Sequence, residues 1–472
     1  MTTLSEASDS AANSATAGSA GSTSPAPSGV KEADREFVFH SWSAQATLDP
    51  MVVAGGSGSW FWDESGKRYL DFSSQLVNLN MGHQHPAIAA AIAEKAAQLC
   101  TIAPVFAEES RSTAARMIAG HAPSGLSRVF FTNGGADANE HAVRMARLTT
   151  GRPKVLSTYR SYHGATATAM ALTGEPRRWG SDTGMAGVVH FFGPYPYRSA
   201  FHAENEEQEC QRALQHLADV IMLEGPKTIA AIILESVVGT NGILVPPPGY
   251  LAGVRALCDQ HGIVFIADEV MSGFARCGEW FAIDHWQVVP DLITFAKGVN
   301  SGYVPLGGVV INDAIADAFA TNPYPGGLTY SGHVLACAAA VANMKAYEDE
   351  GTMAHVRRVG EDVVRPALES IAASHPSVGE VRGLGMFWAI ELVRDPQTRE
   401  PLVPFNAAGA DAAPMAELAT AAKQRGLYPF THFNRMHVVP PCNTPEDDLR
   451  HGLQIIDDIL ELVDRHVPAQ AR

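Results

Sequence analysis

The sequence predicts an α/β protein: one large, mostly parallel sheet covered by helices, followed by a smaller α+β domain. Three observations carry that expectation. Between about residues 86 and 345 extended and helical patterns alternate, as strand-helix-strand crossovers require. The extended segments are short apolar runs bounded by turn residues, which fits strands buried between two helical layers. From about residue 346 the order changes to a long amphipathic helix, a strand pair, another helix and a final hairpin, the pattern of a second unit with segregated elements.

Taken in order, residues 1 to 35 begin with thirty that are almost all Ser, Ala, Gly, Thr and Pro. Such a composition cannot bury enough apolar surface to offset ordering entropy, so a disordered tail is expected there. Residues 36 to 85 form an amino-terminal segment in which "WFWDESGKRYLDF" places two alternating apolar runs around Asp63-Glu64-Ser65-Gly66, a hairpin signal. The large domain, 86 to 345, opens with the helix "HPAIAAAIAEKAAQL". It continues through "RVFFT" (strand), "NEHAVRMARL" (helix), "KVLSTY" and "IAAIILES" (strands), and "GYLAGVRALCDQHG" (helix). The strands "IVFIADE", "LITFAK" and "LGGVVI" follow, and the helix "CAAAVANMKAYEDEG" closes it. Residues 346 to 472 make the small domain.

With 472 residues, 46% hydrophobic and 18% charged, the chain can bury a large core. A formal charge of -16 argues against nucleic acid or an anionic membrane surface as a partner. The six cysteines have no paired spacing, which points to neither a zinc site nor a disulfide framework, and no metal is expected. There is no apolar run of about 18 residues and no basic-then-apolar amino terminus. The expected compartment is the reducing cytoplasm.

Four features fall at predicted strand ends on one edge of the large sheet, where open α/β sheets hold their ligands. Lys297 ends the apolar run "LITFAK". Asp268 and Glu269 end "IVFIADE". The turn Gly134-Gly135-Ala136 runs from a strand into a helix, whose free N–H groups and dipole suit a phosphate. Tyr162-His163-Gly164 follows "KVLSTY", giving an aromatic that can stack on a flat ligand. Alone, each has a bland reading: a snorkelling lysine, a helix cap, a tight turn, a structural histidine. Together an imine-forming amine, a carboxylate and a phosphate cradle are the parts that pyridoxal phosphate needs.

The order and spacing of these pieces resemble the class III, ω-amino-acid type of pyridoxal-phosphate-dependent aminotransferases, a fold-type-I family. The match covers about residues 36 to 465, and its most specific parts are "FIADEVMSGFARCG" and "DLITFAKGVNSGYVPLGG". The resemblance implies that Lys297 carries the cofactor, that Asp268 binds its pyridine nitrogen, and that Val270 packs under one ring face. Tyr162 would cover the other face with His163 beside it. Gly135 and Ala136 would give N–H groups to the phosphate, Ala136 standing where relatives usually have serine. Thr329, in "GGLTYSGH", would reach the phosphate of a second subunit, implying a homodimer, or a tetramer, with shared sites. Glu235 matches a glutamate beside the substrate.

For the substrate pocket the resemblance implies Leu76, Val77, Tyr162 and Arg435. Leu76-Val77 occupies a place where many amine transaminases have Leu-Trp, and Phe430 stands near the place of a carboxylate-binding arginine. Arg435 either takes over that role or is an ordinary surface arginine. The implied reaction moves an amino group from an ω-amino acid or amine (taurine, β-alanine, 4-aminobutyrate, a simple amine) to a 2-oxo acid such as pyruvate or 2-oxoglutarate. Another pyridoxal-phosphate reaction on this fold (lyase, decarboxylase or aminomutase) is the alternative; a non-catalytic binding protein is the reading from another class.

Overall fold

The computed structural model describes residues 29–181 and 186–469. Its centre is a seven-stranded sheet built from β1 (Leu126–Thr132), β2 (Lys154–Thr158), β3 (Val188–Phe191), β4 (Ile229–Glu235), β5 (Val264–Asp268), β6 (Leu292–Phe295) and β7 (Gly307–Asn312). Their spatial order is β1-β7-β6-β5-β4-β2-β3. Neighbours from β6 through β3 pair in parallel, whereas β7 is antiparallel to both β1 and β6. Six carboxyl ends therefore share one edge with the start of β7.

Apolar side chains on both faces explain why this sheet is central. Ile233, Ile266 and Val309 belong to one cluster with Val143 and Ala146 of the helix Gly135–Thr150, while Ile232, Phe265 and Val310 belong to the cluster on the other side. Ile266 is 0% exposed, and trimming it to alanine costs about 2–5 kcal/mol by the usual range for such cavities. Register then sets the site: Glu235 lies opposite Asp268, and Asp268 opposite Thr294. Two glycines admit β7 to the sheet. A Cβ on Gly308 would stand 2.5 Å from the Phe295 ring, and one on Gly307 would stand 2.7 Å from the Gly134 backbone.

The carboxy-terminal region forms an antiparallel sheet from Val378–Leu384, Phe387–Asp395, Arg435–Val438 and Phe430–His432, in that spatial order. The expected strand pair and hairpin are both there. A last helix, Glu446–Asp464, was outside the sequence expectations; it buries Leu449, Leu453, Ile456, Leu460 and Val463 along one stripe.

By internal contacts one unit of the chain ends at Gly55 and includes Trp62–Lys67, and the other holds Gly56–Phe61 and everything from Arg68 onward. In the first unit Val30–Phe37 is a helix, so the tail expected through residue 35 is helical in its last six positions; residues 1–28 lie outside the described residues. The expected turn is formed there, with Gly66 at φ 83° and its N–H donating to the Asp63 carbonyl at 3.0 Å. In the second unit Phe61 stacks on Tyr69 at 5.4 Å between ring centroids. Among the described residues no helix is long and apolar enough to cross a membrane.

Candidate active site

A cleft of about 430 Å³ opens at the carboxyl edge of the large sheet. Its walls include Gly135, Ala136, Tyr162, His163, Glu235, Asp268, Val270 and Lys297, so the structure gathers eight of the residues singled out in the sequence. β1 and the helix after it supply Gly135 and Ala136, β2 leads to Tyr162 and His163, β4 ends on Glu235, β5 on Asp268, and the turn after β6 carries Lys297.

Asp268 is 3% exposed and fully engaged. Its Oδ2 accepts from His163 Nδ1 at 2.7 Å and from Asn139 Nδ2 at 2.9 Å, and its Oδ1 accepts from the Val270 N–H at 3.0 Å. His163 Nε2 meets Ser157 Oγ at 3.2 Å, so the histidine is a hydrogen-bonded support for the carboxylate. Asn139, on the buried face of the helix, was missed in the sequence. The signal was an asparagine among small and apolar helix positions, which a buried partner explains. Glu269 separates from its neighbour: it accepts the Ala282 and Ile283 N–H groups at 3.0 and 2.8 Å, and burial raises its carboxyl to about 7. Of the two acids ending that strand, one faces the cleft and one braces a turn.

Lys297 sits at φ 44°, a left-handed position rarely adopted by a long side chain, which marks local strain. Burial pushes its amine down to about 8, against the pull of the Asp268 and Glu235 carboxylates. Glu235 is shifted the opposite way, to about 6, chiefly by burial. It accepts from the Tyr162 N–H at 3.0 Å and the Gly239 N–H at 2.8 Å. On the ring of Tyr162 the Arg177 guanidinium lies 3.7 Å from the centroid, and Arg177 is ion-paired with the buried Glu175. Neither partner was singled out in the sequence.

The fit to pyridoxal phosphate can be tested on the backbone. The helix Gly135–Thr150 starts at the cleft with no side-chain cap on its first N–H groups, which leaves donors for an anion. Space is kept by small residues: a Cβ on Gly135 would stand 2.8 Å from Val270 Cγ1, and one on Gly164 2.5 Å from the Ala136 Cβ. A poised amine, a held carboxylate and an open helix end in one cleft fit the group.

Four other residues do not line this cleft. Val77 is 1% exposed and packs with Val237, Ile243, Phe387 and Val439. Leu76 and Thr329 are exposed on the chain's surface. Arg435 is 2% exposed, so the surface reading fails. Its guanidinium donates to the Asn241 carbonyl, and it faces Glu391 across the strand pair.

The class III aminotransferase model matches residues 42–460. A 5-aminovalerate aminotransferase of Pseudomonas aeruginosa is 34% identical over 88% of this chain and 94% of its own length. A 4-aminobutyrate aminotransferase of Escherichia coli is 33% identical with the same coverage of both. Among solved structures, a taurine:2-oxoglutarate aminotransferase of Bifidobacterium kashiwanohense, in complex with PLP and glutamate, superposes with a TM-score of 0.90 at 41% identity over 93% of this chain and 98% of that one. With this cleft at the sheet edge, those matches settle the family: the chain belongs to the class III aminotransferases, pyridoxal-phosphate-dependent enzymes.

Proposed function

We propose that this enzyme takes the amino group of an ω-amino acid or ω-amino sulfonate such as taurine, β-alanine or 4-aminobutyrate, or of a simple amine, and delivers it to pyruvate or 2-oxoglutarate. The observation that carries the reading is Lys297, whose amine is held near neutrality at about 8 in the same cleft as the engaged Asp268. The donors named for the relatives above support the substrate class.

Pyridoxal phosphate, when bound, supplies a carbonyl carbon that exchanges amines and a ring that takes up electrons. The chain does the rest. Gly135 and Ala136 would offer N–H groups to the phosphate, Tyr162 and Val270 would enclose the ring, and Asp268 would keep a proton on the ring nitrogen. His163 and Asn139 fix that carboxylate in place. Lys297 Nζ accepts the proton from the donor's amine-bearing carbon. Glu235 ties the Tyr162 and Gly239 backbones to the same wall.

Thr329 stands outside its own chain's cleft, and a homodimer with shared sites gives it a phosphate to serve; a tetramer would keep that pair. Cytoplasmic residence is part of this reading, supported by six cysteines that are all free. Leu76 and Val77 immediately precede Asn78, which lines the cleft, and in this reading they act on the donor pocket only through that neighbour.

The test is nitrogen transfer. Purified enzyme with pyridoxal phosphate, a donor from this set and pyruvate or 2-oxoglutarate should form alanine or glutamate. Release of ammonia or carbon dioxide without amino-acid formation would assign a lyase or decarboxylase instead.

A further inference from the structure

A second cavity, of about 120 Å³, lies beside the cleft and shares Glu235 with it. Its wall is mainly aromatic and apolar, with Tyr159, Phe192, Tyr195 and Tyr250 among its lining, and two arginines enter it, Arg160 and Arg198. The two cations differ. Arg198 is committed, its Nε 2.5 Å from Glu391 Oε1 and its Nη1 donating to the Arg399 carbonyl at 2.6 Å. Arg160 makes no side-chain hydrogen bond or ion pair among the described residues; its guanidinium stands 5.3 Å from the Tyr195 ring centroid and 5.7 Å from that of Phe405.

Backbone geometry singles out the same residue. Arg160 has φ 65°, left-handed for a side chain that gains nothing there by itself, and its N–H is held by the Gly174 carbonyl at 3.2 Å. The half-buried guanidinium has cation–π contacts to offset part of its desolvation, and its planar donors, without an acceptor in the chain, are left to solvent or to a ligand. Arg435, depressed chiefly by burial, also feels Arg160 as a like charge.

From the cation unpaired within the chain, the aromatic walls and the partly open cavity they line, we infer that this cavity binds a small organic anion with an apolar body, its carboxylate or sulfonate on Arg160 and its body against Tyr195, Phe192 and Tyr250. The site is separate from the amine-transfer cleft. Glu235 forms part of both walls, and its carboxylate holds the Tyr162 and Gly239 N–H groups on the cleft side.

Calorimetric titration of the holoenzyme with benzoate, and with benzyl alcohol as a neutral analogue, tests this. Benzoate should bind at one site per chain, also in the presence of saturating 2-oxo acid, and benzyl alcohol should bind at least about tenfold more weakly. Arg160→Gln should weaken benzoate about tenfold or more while the absorbance of the bound cofactor is retained. Ala200, exposed at the rim, provides a second variant that leaves the core alone: Ala200→Trp should block benzoate and leave transamination unchanged. Benzoate binding that persists unchanged in both variants, or that the 2-oxo acid abolishes by simple competition, overturns the assignment. Should Arg160→Gln fail to fold, Ala200→Trp decides.

Discussion

Two buried clusters in this molecule each set carboxylates against cations, and they behave in opposite ways. Around Glu391, three arginines and a tyrosine converge: Arg198 and Arg382 pair with its carboxylate at 2.5 and 2.8 Å, Tyr195 donates to it, and Arg435 faces it across the strands. Despite burial, those cations hold Glu391 down at about 2, while burial raises Tyr195 to about 12. In the cleft, Lys297 falls to about 8 and Glu235 rises to about 6, both mainly through burial. A buried ion with enough opposite charge stays charged at any physiological pH, and one with too little is pushed toward neutrality. The first arrangement holds strands together. The second leaves a proton that can move near pH 7, which an amine-transfer enzyme needs.

The comparison can be broken at its strongest point first. Lys297→Ala should lower amine transfer by about 10³-fold or more, the scale of losing a general base together with the amine that engages the cofactor. Equilibrium dialysis should show that the variant still binds pyridoxal phosphate through the remaining wall. Unchanged turnover would remove Lys297 from the mechanism and with it the contrast.

Next in size is Glu391→Gln, which takes the shared carboxylate from Arg198 and Arg382 and should cost about 3–5 kcal/mol of stability in urea denaturation, the usual cost of breaking a buried pair. The pH dependence has a definite sign. Because the folded carboxyl sits at about 2, below an unfolded value of about 4.3, its contribution is complete above the unfolded value and disappears as pH falls toward 2. The variant should lack that part of the acid loss; an identical acid profile would show that the network does not hold Glu391 ionised.

A smaller effect tests whether the cleft, unlike the Glu391 cluster, draws on a second chain. Thr329→Ala should weaken pyridoxal phosphate binding by about 1–3 kcal/mol, the range for a hydrogen bond to a charged group. Mixed dimers of Lys297→Ala with Thr329→Ala subunits place both lesions in one site and spare the other, so about half the wild-type activity should return if Thr329 crosses between subunits. Activity equal to the plain average of the two parents would place Thr329 elsewhere.

The finest test is a shift in midpoint. Only a neutral amine attacks a carbonyl, so reconstitution of cofactor-free enzyme with pyridoxal phosphate should speed up as pH rises through about 8. The Asp268 carboxylate favours the charged amine, so Asp268→Asn should move that midpoint downward. A midpoint that stays put would mean the two groups do not sense each other.

The sequence by itself determined the alternation that makes the large sheet, the strand ends that carry Lys297, Asp268, Tyr162 and Gly135, and the motif pair that names the family. These are local properties: a strand is written in a few consecutive apolar residues, and a strand end in the residues that follow it. Only the tertiary structure decided which side chains meet. Arg435 looked like a surface cation or a substrate ligand because its segment, "NRMHVV", says nothing of Glu391 in a strand more than forty residues away. Asn139 and Arg177 escaped for the same reason, since one meets Asp268 and the other the ring of Tyr162, and Glu175 escaped because it serves by pairing with Arg177 and with the distant His432. The division of Asp268 from Glu269 was equally invisible: Asp268 ends the strand and Glu269 follows it, and only the groups packed around each make one a cleft carboxylate and the other a brace.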